Sequence, residues 1–332
     1  MSHRPHNSPL TLATRHRIRI ADVAPWVIAL AAFFLFPRHL QLGTQVMIMV
    51  LFALSLDLLL GYAGIVTLGH AAFFGIGAYC CGILSVRLAI HDPLLSLLVS
   101  ATLAGAAGLA CGAIVLRTRG LTLLMLTLGI LLMLAEAANR AAWLTGGADG
   151  LQGVTIGRLF GLFEWDLYGR TTYLYCVAVT FLAFVVVRTV VMSPFGRSLV
   201  GIRENAVRME ALGTPVRQRL VVAYGLSATL AGVAGALNAQ TNQFVALNVL
   251  SFELSGAVLI MLILGGTGRL YGAFVGAPIY MIAADWFARL DPTYWLFWIG
   301  AMLVALVMFA RGGFLGLWDK LSAERVPGRT GW

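Results

Sequence analysis

The sequence predicts an all-α integral membrane protein of about ten transmembrane helices, and three observations carry that expectation. Of 332 residues, 60% are hydrophobic and only 11% charged, whereas an ordinary soluble domain carries roughly 25% charged residues. Lipid must therefore be the solvent for most of the chain. Long apolar runs such as Leu94–Leu116 lack the two-residue alternation that a membrane β-barrel requires. The basic residues gather in particular loops between those runs, the positive-inside pattern of a helical membrane protein. That pattern accounts for the net charge of +9 without invoking nucleic acid.

A span needs ~20 mostly apolar residues, or fewer where neighbours and snorkelling side chains help. In chain order, the runs near 23–36, 43–60, 66–90, 93–116, 121–138, 171–191, 219–239, 250–264, 271–288 and 293–310 supply such segments. The first follows a basic stretch, as a signal peptide would. Its long polar leader, and Pro37-Arg38 in place of a small-residue cleavage pattern, make an uncleaved helix the expectation. Gly61, Gly64, Gly69, Gly75 and Gly77 lie between or within the second and third runs and predict irregular backbone there. Such backbone is tolerated at membrane depth only where protein or a water-filled cavity satisfies it. Gly265, Gly266, Gly268 and Gly272 predict a second break. Cys80, Cys81, Cys111 and Cys176 lie in apolar runs without metal-ligand spacing and read as small buried hydrophobes.

Charge sets the orientation. Residues 1–20 hold Arg4, Arg15, Arg17 and Arg19 with no acid, and the link after 116 holds Arg117 and Arg119. The segment 192–219 holds five arginines against Glu204 and Glu210, and the tail from 311 holds four basic residues against Asp319 and Glu324. With ten alternating helices all four fall on one side, which is then the cytoplasm, with both chain ends inside. The organisation expected is a cytoplasmic tail over 1–22, a transmembrane domain over 23–310 with an extramembrane loop at 192–218, and a second cytoplasmic tail over 311–332. The long opposite loop, 139–170, balances three arginines with three acids.

Within the basic loop, Ser193 and Pro194 form an N-cap and first-turn pair. Leu199, Ile202, Ala206 and Met209 recur at helical spacing, Glu204 and Arg208 stand as an i,i+4 pair, and Gly213 with Pro215 ends the segment. One short amphipathic helix outside the membrane is predicted. It either rests on the lipid surface or offers its apolar face to the groove of a cytoplasmic partner.

The wording of that segment, Ser193-Pro194-Phe195-Gly196-Arg197, Ile202-Arg203-Glu204-Asn205 and Glu210-Ala211-Leu212-Gly213, resembles the coupling motif of ABC importer permeases. More narrowly, it resembles the branched-chain amino acid permease family of the LivM type. Gly61–Tyr79 resembles that family's first glycine-rich signature, Thr145–Leu151 its periplasmic loop, and Leu264–Gly272 its later glycine-rich turn. The matches run in the family's order across residues ~50–280, and the four together are far more specific than any one.

The resemblance implies a permease subunit of the bacterial cytoplasmic (inner) membrane, working by alternating access. Its partners would be a second homologous permease, two cytoplasmic ATPase subunits and a periplasmic or extracellular substrate-binding protein. The cargo implied is leucine, isoleucine or valine, with urea, short amides or other hydrophobic amino acids as the alternative. ATPase coupling falls to Arg203, Glu204, Met209, Glu210, Ala211 and Gly213. This chain has no glycine-rich phosphate loop ending in Gly-Lys-Ser/Thr, so no cofactor is expected on it, and ATP and Mg belong to the partner ATPases.

Gly61, Gly64, His70, Gly265 and Gly266 are the candidates for the translocation path, since broken backbone can expose N–H and C=O groups to a cavity. Close helix packing is the simpler reading of most of these glycines, and a packed structural role the simpler reading of His70. The acids Asp57, Glu136, Glu253 and Asp285 lie near predicted span ends and read as interfacial. At Asp57 the resembling family more often carries an uncharged polar residue. Two other classes fit less well. A secondary transporter or channel would want charges at the midplane, and a membrane enzyme would want catalytic or metal-ligating residues clustered at one depth. The six histidines are scattered between Met1 and His91.

Overall fold

The computed structural model describes residues 20–35, 39–157 and 169–309. The expected tails lie outside these, except that residues 20–22 already belong to the first helix. The helices are α1 (Ile20–Leu35), α2 (Leu40–Asp57, continued by a π-helical turn Leu58–Ala63), α3 (Ala71–Leu88), α4 (Pro93–Val115), α5 (Leu121–Arg140) and α6 (Arg170–Met192). There follow α7 (Pro194–Glu204), α8 (Ala206–Ala211), α9 (Val216–Asn242), α10 (Phe252–Gly265), α11 (Gly272–Leu290) and α12 (Trp295–Phe309). Each of the ten apolar runs falls on a helix. Among the described residues, α2 with its π turn, α3, α4, α5, α6 and α9 are long and apolar enough to cross a membrane, while parts of α1, α10 and α12 form shorter apolar helices.

Local chemistry sets several boundaries. Asp92 caps α4 by accepting from Leu94 N–H at 2.9 Å, with Pro93 filling the first helical position where no N–H is needed. Ser193 and Pro194 open α7 in the same way. Gly213 closes α8 at φ +81°, and the Thr214 N–H returns to Met209 O.

The bundle is organised around α2, whose second half is buried on every face, as expected of a helix that is apolar all round. α9 packs along α4, α3 and α2, and α2 packs on its other side against α6, α10 and α11. Small residues permit the closest crossings: a Cβ on Gly77 would overlap the backbone of Gly232, and one on Gly276 that of Met261. α5 turns Leu121, Met125, Leu132 and Met133 outward, a face suited to lipid.

The structure corrects three expectations. The third helix begins at Ala71, because residues 64–70 are not helical. The extramembrane helix is two helices, broken at Asn205. Its backbone is extended (φ −158°, ψ 96°), and its side chain caps α8 by accepting from Arg208 N–H at 2.9 Å. With the helix broken between them, Glu204 and Arg208 form no salt bridge among the described residues. The apolar stripe also faces the other way. Leu199 and Ile202 are buried in the chain's own body, while Val207, Ala211 and Leu212 are exposed.

Candidate functional site at the glycine-rich junction

Three segments distant in sequence meet at one end of the bundle. The first is the end of α2, where the helix widens into its π turn and stops at Gly64, which adopts φ +73°. A side chain there would be strained, and the stem of Arg203 covers the space it would need. From Gly64 the chain doubles back along α2, so that His70 stands beside Ser55, roughly two helical turns before the π turn ends. The second segment is the turn between α10 and α11, where Gly266 and Gly268 both have positive φ. The third is the last turn of α7.

Asp57 joins the first two. Its Oδ1 accepts from the Gly268 N–H at 2.8 Å, and the residue is 1% exposed. One helical turn on, Gly61 lets the other chain approach, since a Cβ there would overlap both the Asp57 carboxylate and the backbone of Gly268. Asp57 thus lies at the end of α2, as the sequence suggested, but is enclosed by the protein. The other three acids lie within two turns of a helix end: Glu136 pairs with Arg140 at 2.6 Å, Asp285 pairs with Arg289 at 2.8 Å, and Glu253 sits in the first turn of α10.

Arg203 joins the third segment to the other two. Its guanidinium donates to the Gly61 carbonyl, and a Cβ built on Gly268 would stand 3.1 Å from the same Nη1. An arginine outside the apolar helices thus satisfies a carbonyl freed where α2 breaks. Among the described residues the second carboxylate oxygen of Asp57 has no hydrogen-bond partner, which leaves a buried acceptor within the junction. Two neighbouring contacts hold α7 and the start of α9 in place: Arg219 lies 5.4 Å over the Phe195 ring, and Arg217 donates to Ala113 O at 2.8 Å. A cavity of about 840 Å³ opens beside the junction, with Gly64, Arg117, Arg119, Arg203, Glu210 and Arg217 on its wall.

The predicted residues are distributed unevenly around this site. Arg203 and Gly61 are in contact, Gly64 and Glu210 line the cavity, and Ala211 and Gly213 face outward on and after α8. Met209 folds back on Gly201, joining α8 to α7, and Glu204 is exposed on the last turn of α7. Gly265 and Gly266 pack against Gly272 where α10 and α11 cross. His70 is fully buried. It stacks on Phe52 at 5.4 Å, and its Nε2 lies 2.8 Å from Ser55 Oγ. The Ser55 hydroxyl also lies 2.6 Å from Phe52 O, so Ser55 links the imidazole to the α2 backbone. His70, Gly265 and Gly266 line neither this cavity nor the smaller one at the opposite end.

The fourth motif lies at that opposite end. Leu151 pairs with Val245 in a short antiparallel bridge at 2.7 and 3.2 Å, and Thr145 Oγ1 donates to Ala138 O, closing the loop onto the end of α5. Sequence reasoning did not join Asp57 to Gly268. The available signal was the i,i+4 placement of Asp57 and Gly61 on a buried helix.

Residues 39–307 match the family model described as the branched-chain amino acid transport system / permease component. Among curated proteins, the high-affinity branched-chain amino acid transport system permease protein LivM of Escherichia coli is 28% identical over 315 residues, covering 88% of this chain and 74% of the relative. The protein of the same name from Salmonella typhimurium is 29% identical over 316 residues, covering 87% and 73%. No solved structure gives a significant match.

Proposed function

Since the chain belongs to the branched-chain amino acid transport system permease component family, we propose that it is a membrane permease subunit of an ABC importer for leucine, isoleucine and valine. In this reading ten helices cross the cytoplasmic membrane, and the end that bears α7 and α8 faces the cytoplasm, as the arginine-rich loops favour. Two ATPase subunits dock there and use ATP with Mg. A second homologous permease completes the path, and a binding protein delivers cargo at the opposite face.

The observation that supports the coupling role most directly is the hydrogen bond from Arg203 to the Gly61 carbonyl. It runs from an extramembrane helix to the point where α2 breaks, so a push on α7 acts on the ends of α2, α10 and α11 together. The exposed Val207, Ala211 and Leu212 supply the docking face. The stripe at Leu199 and Ile202 instead anchors the lever to the permease.

Reconstitution tests the proposal. Vesicles holding the complete complex should accumulate leucine when ATP is supplied on the ATPase side, and this chain alone should not accumulate it. Robust uptake by this chain alone, driven by a proton or sodium gradient, would make it a secondary transporter instead.

A further inference from the structure

The end of the bundle opposite the junction holds a second cavity, of about 300 Å³, at the lower limit of typical small-ligand sites. One part of its wall is a ladder of amides. Gln45 on α2 donates to Asn242 Oδ1 at 3.0 Å, and Asn242 donates to Asn238 Oδ1 at 2.9 Å, one turn back along α9. Met49, Phe74 and Leu254 form an apolar part of the wall, and among the described residues no charged side chain lines the cavity.

The ladder has a chemical polarity. In a run of three hydrogen-bonded amides, one terminal residue keeps a free carbonyl oxygen and the other a free NH₂. Exchanging O and N throughout reverses the direction but keeps one acceptor end and one donor end. Such a surface can receive an ammonium at one end and a carboxylate at the other. An anion or a cation alone would use only one end of the ladder. A net-neutral zwitterion is matched at both ends, and its side chain then falls against Met49, Phe74 and Leu254.

We propose that this cavity is a binding subsite for the zwitterion of an aliphatic amino acid, with the amide ladder holding the head group and the apolar wall holding the side chain. The proposal rests on the importer reading above and adds to it a location within this chain. The bridge between Leu151 and Val245 serves the site, because it fixes the segment over residues 244–249 that closes one side of the cavity.

Thiol protection in the assembled complex provides the test. With the four native cysteines replaced, Ala246→Cys places a thiol on the cavity wall, and a membrane-impermeant reagent is applied from that side. Leucine at ten times its dissociation constant from this subsite should slow labelling about tenfold, by mass action, whereas lysine and glutamate should not. Asn238→Asp, which puts a charge at one end of the ladder, should weaken leucine protection about tenfold, the scale of one hydrogen bond to a charged group. Equal labelling with and without leucine, in a complex that still accumulates leucine, would overturn the subsite and leave the importer reading intact. A complex that accumulates no branched-chain amino acid would overturn both.

Discussion

The Asp57 carboxylate accepts a hydrogen bond at 2.8 Å from the backbone N–H of Gly268, which lies 211 positions further along the chain. This bond fastens the broken end of α2 to the turn between α10 and α11, at the same place where Arg203 donates to Gly61. Together these contacts form one mechanical joint.

Removing the acceptor should cost more than removing the charge. Asp57→Asn keeps an oxygen for the Gly268 N–H, so thermal unfolding of the purified protein should shift by no more than about 1 kcal/mol of stability. Asp57→Leu strands a buried N–H and should cost about 1–3 kcal/mol. Equal losses in the two variants would mean that the hydrogen bond is not what secures the joint.

A methyl group at the crossing provides a second test. Gly61→Ala would drive a Cβ into the backbone of Gly268, an overpacking expected to cost about 1–3 kcal/mol. Gly129→Ala on α5 is the matched control, since a Cβ there meets nothing within 4 Å. It should stabilise by up to about 1 kcal/mol through helix propensity. Thermal shifts of the two variants in one detergent give the comparison.

Arg203→Lys keeps the positive charge but loses the planar fork that reaches the Gly61 carbonyl. ATPase association should persist, while leucine imported per ATP hydrolysed falls about tenfold, the scale of one charge-assisted hydrogen bond. An unchanged ratio would remove Arg203 from the coupling route.

Much of this architecture was legible in the sequence. The apolar runs located the helices, Ser193-Pro194 and Gly213 marked the start and end of the α7–α8 segment, and the glycines after residue 60 announced the break. Other features were hidden for physical reasons. The spacing of Leu199, Ile202, Ala206 and Met209 survives the interruption at Asn205, because α7 and α8 both turn toward the body, so periodicity alone could not reveal the break. Burial of Asp57 depends on a partner 211 residues away, and no local pattern encodes that. The amide ladder draws Gln45 from one helix and Asn238 and Asn242 from another. Within α9 only the i,i+4 amide pair could have been noticed.

Orientation can be read by accessibility. In a background without native cysteines, Ala148→Cys, at an exposed position of the loop after α5, should react with an impermeant thiol reagent added outside cells, and Asn205→Cys should react only after the membrane is opened. The arginine-rich loops predict this result. External labelling at position 205 would place α7 and α8 on the wrong side for ATPases.

The docking role of α8 is tested most directly by Ala211→Arg in the complete complex, scored by co-purification of the ATPase subunits and by ATP-driven leucine accumulation. Ala211 is exposed, so the substitution should change folding stability by less than about 0.5 kcal/mol and the protein should insert at its normal level. If α8 is the docking face, ATPase co-purification and leucine accumulation should both fall sharply. A helix that merely rests on the anionic inner leaflet would tolerate an added cation. Wild-type association and wild-type accumulation in Ala211→Arg would therefore contradict the account.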